Sequence, residues 1–143
     1  MAGNITGVLN RIQTQQGRPR IAEVVLTCTA DAGDGSYPET VVNTLAGLAG
    51  FDIRGLKLYS VKSIPGAVLP TDGSGITILD KHGVDLLGGK GIELIKAASK
   101  TWTLVGPTGY NAPALITGDI TVKVANNNEN GAIVILVLEF TGD

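Results

Sequence analysis

From Asp119 to Phe140 the chain has little freedom of conformation. Ile120, Val122 and Val124 alternate with Thr121 and Lys123, the period of two that sends successive side chains to opposite faces of a strand. Asn126-Asn-Asn-Glu-Asn-Gly131 follows, and its Asn130-Gly131 dipeptide tolerates the positive φ that tight hairpin turns demand. Ala132 to Phe140 then runs apolar on both faces, through Ile133, Val134, Ile135, Leu136, Val137 and Leu138. The spacing predicts a β-hairpin turning at Asn130-Gly131, with Ile120, Val122 and Val124 packed with alternate residues of Ile133 to Leu138. A strand apolar on both faces is expected to be covered on both.

The rest of the chain carries the same signature. Arg20 to Ala30 is nearly continuously apolar or β-branched and stops at the turn cluster Asp31-Ala-Gly-Asp-Gly-Ser36, which reads as a strand. Val41 to Leu48 is ambiguous. Phe51 to Ile64 reads as a long strand with a bulge near Gly55, closed by Pro65-Gly66 and Pro70-Thr-Asp-Gly73. Gly75 to Asp80 and Trp102 to Val105 are shorter strands, and Ile92 to Lys100 allows one or two amphipathic helical turns. Val, Ile and Thr make up 40 of 143 residues and glycine another 20, a mixture that suits strands joined by turns. The fold expected is all-β: a single-domain β-sandwich or small barrel of about seven to eight mostly antiparallel strands.

Residues 1–20 stand apart. They hold Arg11, Arg18 and Arg20, no acid, and a net charge of +3, while the whole chain carries −2. Ile5, Val8, Leu9 and Ile12 fall at helical spacing, but Gly3, Gly7 and Gly17 weaken a helix. The expectation is an N-terminal arm over residues 1–19 ahead of a β-domain over residues 20–143, with Arg11, Arg18 and Arg20 as interaction residues toward a partner.

Chemistry is sparse. One cysteine, Cys28, and one histidine, His82, exclude an intramolecular disulfide and a His/Cys zinc cage. Cys28 lies in an apolar run and reads as a buried thiol. An enzyme would have to be built on Asp80, His82 and Asp85, yet no Gly-x-Ser-x-Gly elbow places a nucleophile against them. Gly88-Gly-Lys-Gly91 lacks the spacing of a phosphate-binding loop, and Asp31-Ala-Gly-Asp34-Gly lacks the closing Glu of an EF-hand. The six aromatic residues, Tyr37, Phe51, Tyr59, Trp102, Tyr110 and Phe140, are scattered, which argues against a stacking platform or a sugar-binding groove. No catalytic, cofactor or metal site is expected, and hence no enzyme. The charge balance disfavours nucleic acid. The longest apolar run, Ala132 to Leu138, falls far short of the roughly 20 residues that span a bilayer. With no signal peptide at the start, function without membrane passage is expected.

Ile53-Arg-Gly-Leu-Lys-Leu-Tyr-Ser-Val-Lys-Ser-Ile-Pro-Gly66, followed by Pro70-Thr-Asp72, Ile76-Thr-Ile-Leu79 and Gly83-Val-Asp-Leu-Leu-Gly-Gly89, resembles small virion structural proteins of tailed bacteriophages. The segment from Gly118 to Phe140 is similar to theirs as well, so the resemblance spans about residues 20–140. It is a pattern of strands and turns and brings no catalytic residues. It implies a capsid decoration (cement) protein on the virion surface, assembled in the host cytoplasm, with the major capsid protein as partner. A tail, head–tail connector or receptor-binding/fibre module is the alternative. Charged residues are only 17% of the chain, against about 25% in ordinary soluble domains. That low fraction leads to the expectation of self-association, as a homotrimer.

Overall fold

The structure is a computed structural model that describes residues 3–13, 21–48, 52–106 and 111–142. Nine strands are present among them: β1 (Asn4–Gln13), β2 (Ile21–Thr29), β3 (Thr40–Val41), β4 (Lys57–Pro65), β5 (Gly75–Leu79), β6 (Thr101–Leu104), β7 (Ala114–Leu115), β8 (Thr121–Ala125) and β9 (Ile133–Thr141). All pairings are antiparallel. One sheet runs β1-β2-β9-β4-β6, with β7 added beside β4; the other runs β3-β8-β5. The fold is all-β, in two sheets rather than a closed barrel.

The expected hairpin at Asn130-Gly131 does not form. β8 pairs with β3 and β5 in the small sheet, and β9 pairs with β2 and β4 in the large one. Residues 126–132 therefore carry the chain from one sheet to the other. The physical reason lies in the two strands' patterns. All nine residues of β9 find partners on β2, from Ile133 opposite Thr29 to Thr141 opposite Ile21. The five-residue β8 could not match that length. A run apolar on both faces suits a central strand, whereas exposed Lys123 suits a small sheet with one wet face. Ile120 and Val122 do meet Val134, Leu136 and Leu138, but within one core between the sheets, with Val124 packed at its margin.

The N-terminal arm is also corrected. Asn4–Gln13 is the edge strand β1, in register with β2 from Asn4 opposite Thr29 to Arg11 opposite Ala22, with an irregularity before Gln13. Ile5 and Gly7 turn inward while Thr6 and Val8 stay exposed, so the period of two prevails over the helical spacing. Gly7 packs closely there: a Cβ would lie 2.9 Å from a terminal methyl of Leu45, which would have to shift. The β-domain thus includes residues placed in the arm, and Arg11 occupies β1. Arg18 and Arg20 lie outside the described residues, as does Phe51.

Two smaller expectations change. Residues 92–100 form turns and no helix; Ile95 is buried and bridges to Ser74, while Ile92 is exposed, so the two do not share a face. The strand expected from Phe51 begins only at Lys57, because Gly55 adopts φ +88° in a turn. Its irregularity sits between Leu58 and Ser60 instead, leaving Tyr59 as the extra residue.

The core collects the inward positions of both sheets, including Leu26, Leu58, Ile76, Ile78, Leu136 and Phe140. Cys28 belongs to it, and burial pushes its thiol up to about 12.

Candidate functional site

The carboxylates of the turns around Asp80 and Asp85 are engaged in holding those turns together. Asp80 accepts hydrogen bonds from the backbone N–H groups of His82 (2.8 Å) and Val84 (3.0 Å). The Val84 bond is the main cause that lowers its pKa below the usual carboxylate range. Asp85 accepts from the backbone of Ile78, Leu87 and Gly89. Both carboxylates are tied to backbone amides, the arrangement of a fastened loop. Asp31 likewise accepts from Gly33 and Asp34, and Asp34 from Ser36. Among the described residues, no three His, Cys, Asp or Glu side chains gather where they could hold a metal ion. No helix among them is long and apolar enough to cross a membrane.

The feature that does present chemistry outward lies on the face of the large sheet turned away from the core. β4 places Ser60 opposite Glu139 of β9 and Leu104 of β6, and Lys62 opposite Val137 and Trp102. Ser60 Oγ donates to Glu139 Oε1 at 2.5 Å, and Lys62 Nζ lies 3.3 Å from the same oxygen. Tyr59, Leu104 and Trp102 complete a hollow of about 350 Å³ around this polar group. Trp102 is 62% exposed and Tyr59 50%, large fractions for aromatic side chains.

The bulge makes the hollow. In a regular strand Tyr59 would alternate with Ser60 and turn to the core; as the extra residue it stays exposed beside a serine that points outward. Its backbone carbonyl accepts the N–H of Val105, which fixes it against the end of β6. Two aromatic residues that sequence reading counted as scattered, 43 positions apart, thus line one depression.

The same outer face continues toward β1. Val8, Val25, Val137, Lys62 and Trp102 stand in one row across five strands, and Thr6, Thr27, Ile135 and Ile64 in the next. Apolar and β-branched side chains dominate both rows. The interaction residues expected from the sequence are not part of this arrangement as described: Arg11 stands at the β1 edge opposite Ala22, and the other two lie outside the described residues. No protein-family model, no curated protein and no solved structure matches the chain.

Proposed function

We propose that this chain is a non-catalytic virion subunit, a capsid decoration (cement) protein that binds the assembled shell and stabilises it. The observation that carries the proposal is the outer face of the six-stranded sheet, turned away from the core, where a β-branched row runs from exposed Val8 through half-buried Val25 to buried Val137. An apolar, β-branched sheet face with exposed members marks an interaction surface. The resemblance of residues 53–89 to phage virion proteins supplies the partner, the major capsid protein.

Each subunit would bury about 800 Å² per partner, an interface of standard size. Trimeric association would convert modest single contacts into durable attachment through avidity. Binding only the assembled shell shifts the equilibrium away from disassembly. The test compares genome release from heated capsids with and without the protein, and with its Val8→Glu variant. Release at a higher temperature with the native chain, lost in Val8→Glu, supports decoration. Equal release temperatures, with the protein located on the tail, assign it to the tail or connector.

A receptor-binding module is the second reading. Exposed Tyr59 and Trp102 around Glu139 favour it, since such a module presents an aromatic or acidic pocket.

A further inference from the structure

We propose that the hollow between β4 and β6 binds a neutral carbohydrate, one or two pyranose rings in length. The proposal stands on the hollow itself and holds whether or not the chain decorates a capsid.

Its walls match the two chemistries of a sugar ring. A pyranose offers a flat patch of C–H groups on one face and hydroxyls around its edge. Trp102 and Tyr59 provide aromatic surface for the first. Leu104 adds apolar lining opposite Ser60, and Ser60, Lys62 and Glu139 provide the polar side. Tyr59 and Trp102 lie two to three residues apart along the strand direction and one strand apart across it, so their backbones are separated by roughly 8–11 Å. That spacing suits one or two rings and is short for a longer ligand engaging both aromatics.

The polar side is built to take hydroxyls. Ser60 donates to Oε1 of Glu139 and Lys62 lies 3.3 Å from that same oxygen, which leaves lone pairs of the carboxylate to accept from a ligand hydroxyl. Lys62, ion-paired with Glu139, carries ammonium donors that can meet a ligand hydroxyl. Charge does not favour an ionic ligand either. Glu139 and Lys62 together carry no net charge, so the hollow gives neither anions nor cations a net attraction. A neutral, hydroxyl-rich ligand is what remains.

The position leaves the site open. Trp102 belongs to β6 and Val8 to β1, at opposite edges of the same face, so four strand spacings of about 4.8 Å place them roughly 19 Å apart. A ligand at one end need not displace a neighbour at the other.

Trp102 is the chain's only tryptophan, so its fluorescence reports on this hollow alone. The full chain is titrated with neutral oligosaccharides of glucose, galactose, mannose and N-acetylglucosamine, and with sialyllactose as the anionic control. A saturable blue shift with at least one neutral sugar is the expected result. By calorimetry, Trp102→Ala should weaken that sugar about tenfold or more, and Glu139→Gln by a smaller factor. Trp102→Phe should restore part of the loss, and circular dichroism verifies that each variant is folded. No saturable shift with any neutral sugar overturns the proposal, as does binding of sialyllactose alone or unchanged affinity in Trp102→Ala. Val8→Glu separates this proposal from decoration: it should abolish shell binding and leave the sugar affinity as it is.

Discussion

Asn127 and Thr71 clasp each other across the connection between the two sheets. The carboxamide oxygen of Asn127 accepts the backbone N–H of Thr71 at 2.9 Å, and the Thr71 hydroxyl accepts the N–H of Asn128 at 2.8 Å. The amide nitrogen of Asn127 donates to the carbonyls of Gly35 (2.8 Å) and Glu129 (2.9 Å). One buried side chain therefore ties three loops together. Asn127→Ala removes all three of its bonds and strands buried partners, so it is expected to destabilise the fold by about 3 kcal/mol. Urea unfolding followed by tryptophan fluorescence measures this, and a loss below about 1 kcal/mol would mean the loops hold without the clasp.

Ser63 should behave in the opposite way. Its side chain points into the core on β4, and its hydroxyl has no hydrogen-bond partner among the described residues. A buried unsatisfied hydroxyl carries its desolvation penalty without return. Ser63→Ala is expected to leave stability unchanged or raise it by about 1 kcal/mol. A clear fall in the urea midpoint would reveal a partner for that oxygen.

Acid should weaken the protein in a defined window. Arg54 holds Asp52 through side-chain hydrogen bonds of 2.7–3.1 Å and lowers its pKa to about 2. Asp31, Asp34 and Asp80 are shifted the same way, chiefly by hydrogen bonds from Gly33, from the Ser36 side chain and from Val84. A carboxylate with a lowered folded pKa contributes stability that is present above its unfolded value, near 3.9, and is lost as pH falls through the folded value. The urea midpoint should therefore decline between about pH 4 and pH 2. Asp52→Asn should flatten part of that decline. An identical slope in the variant would show that the exposed pair adds nothing measurable.

Cys28 should resist thiol reagents. Burial in the core raises its pKa to about 12, leaving almost no thiolate at neutral pH and no path for a reagent. Native protein is expected to remain unlabelled by a disulfide-exchange reagent at about pH 8 and to react with one equivalent once denatured. Rapid labelling of the native chain would indicate frequent opening of β2.

Local patterns made several elements legible before any coordinates. Ile21–Thr29 and Gly75–Leu79 are dense in β-branched residues and end at turn clusters, so their limits follow from sequence. β1 was hidden because Ile5 and Leu9 satisfy the helical and the two-residue period together; the open flank of β2 decides between them. The Asn130-Gly131 step was misread for a related reason. Gly131 does adopt φ +68°, but a turn residue specifies the local bend and not the sheet that its flanking strands join. The hollow was invisible because the outward setting of Tyr59 depends on an extra residue in β4, and nothing in the residue types around it marks that irregularity.

The strand at the middle of the large sheet has a consequence for how the molecule is made. β9 lies between β2 and β4, yet it is the last of the described strands in chain order. During translation β1 and β2 can pair as soon as they emerge, but they have no bond to β4 until residues 133–141 arrive. Until then the nascent chain exposes the flanks of β2 and β4, each a template for a neighbouring chain. Where many copies are synthesised together, the time spent waiting for β9 sets the demand on chaperones. Slowing elongation just before the codon for Ile133 should therefore increase aggregation, while the finished protein keeps its stability.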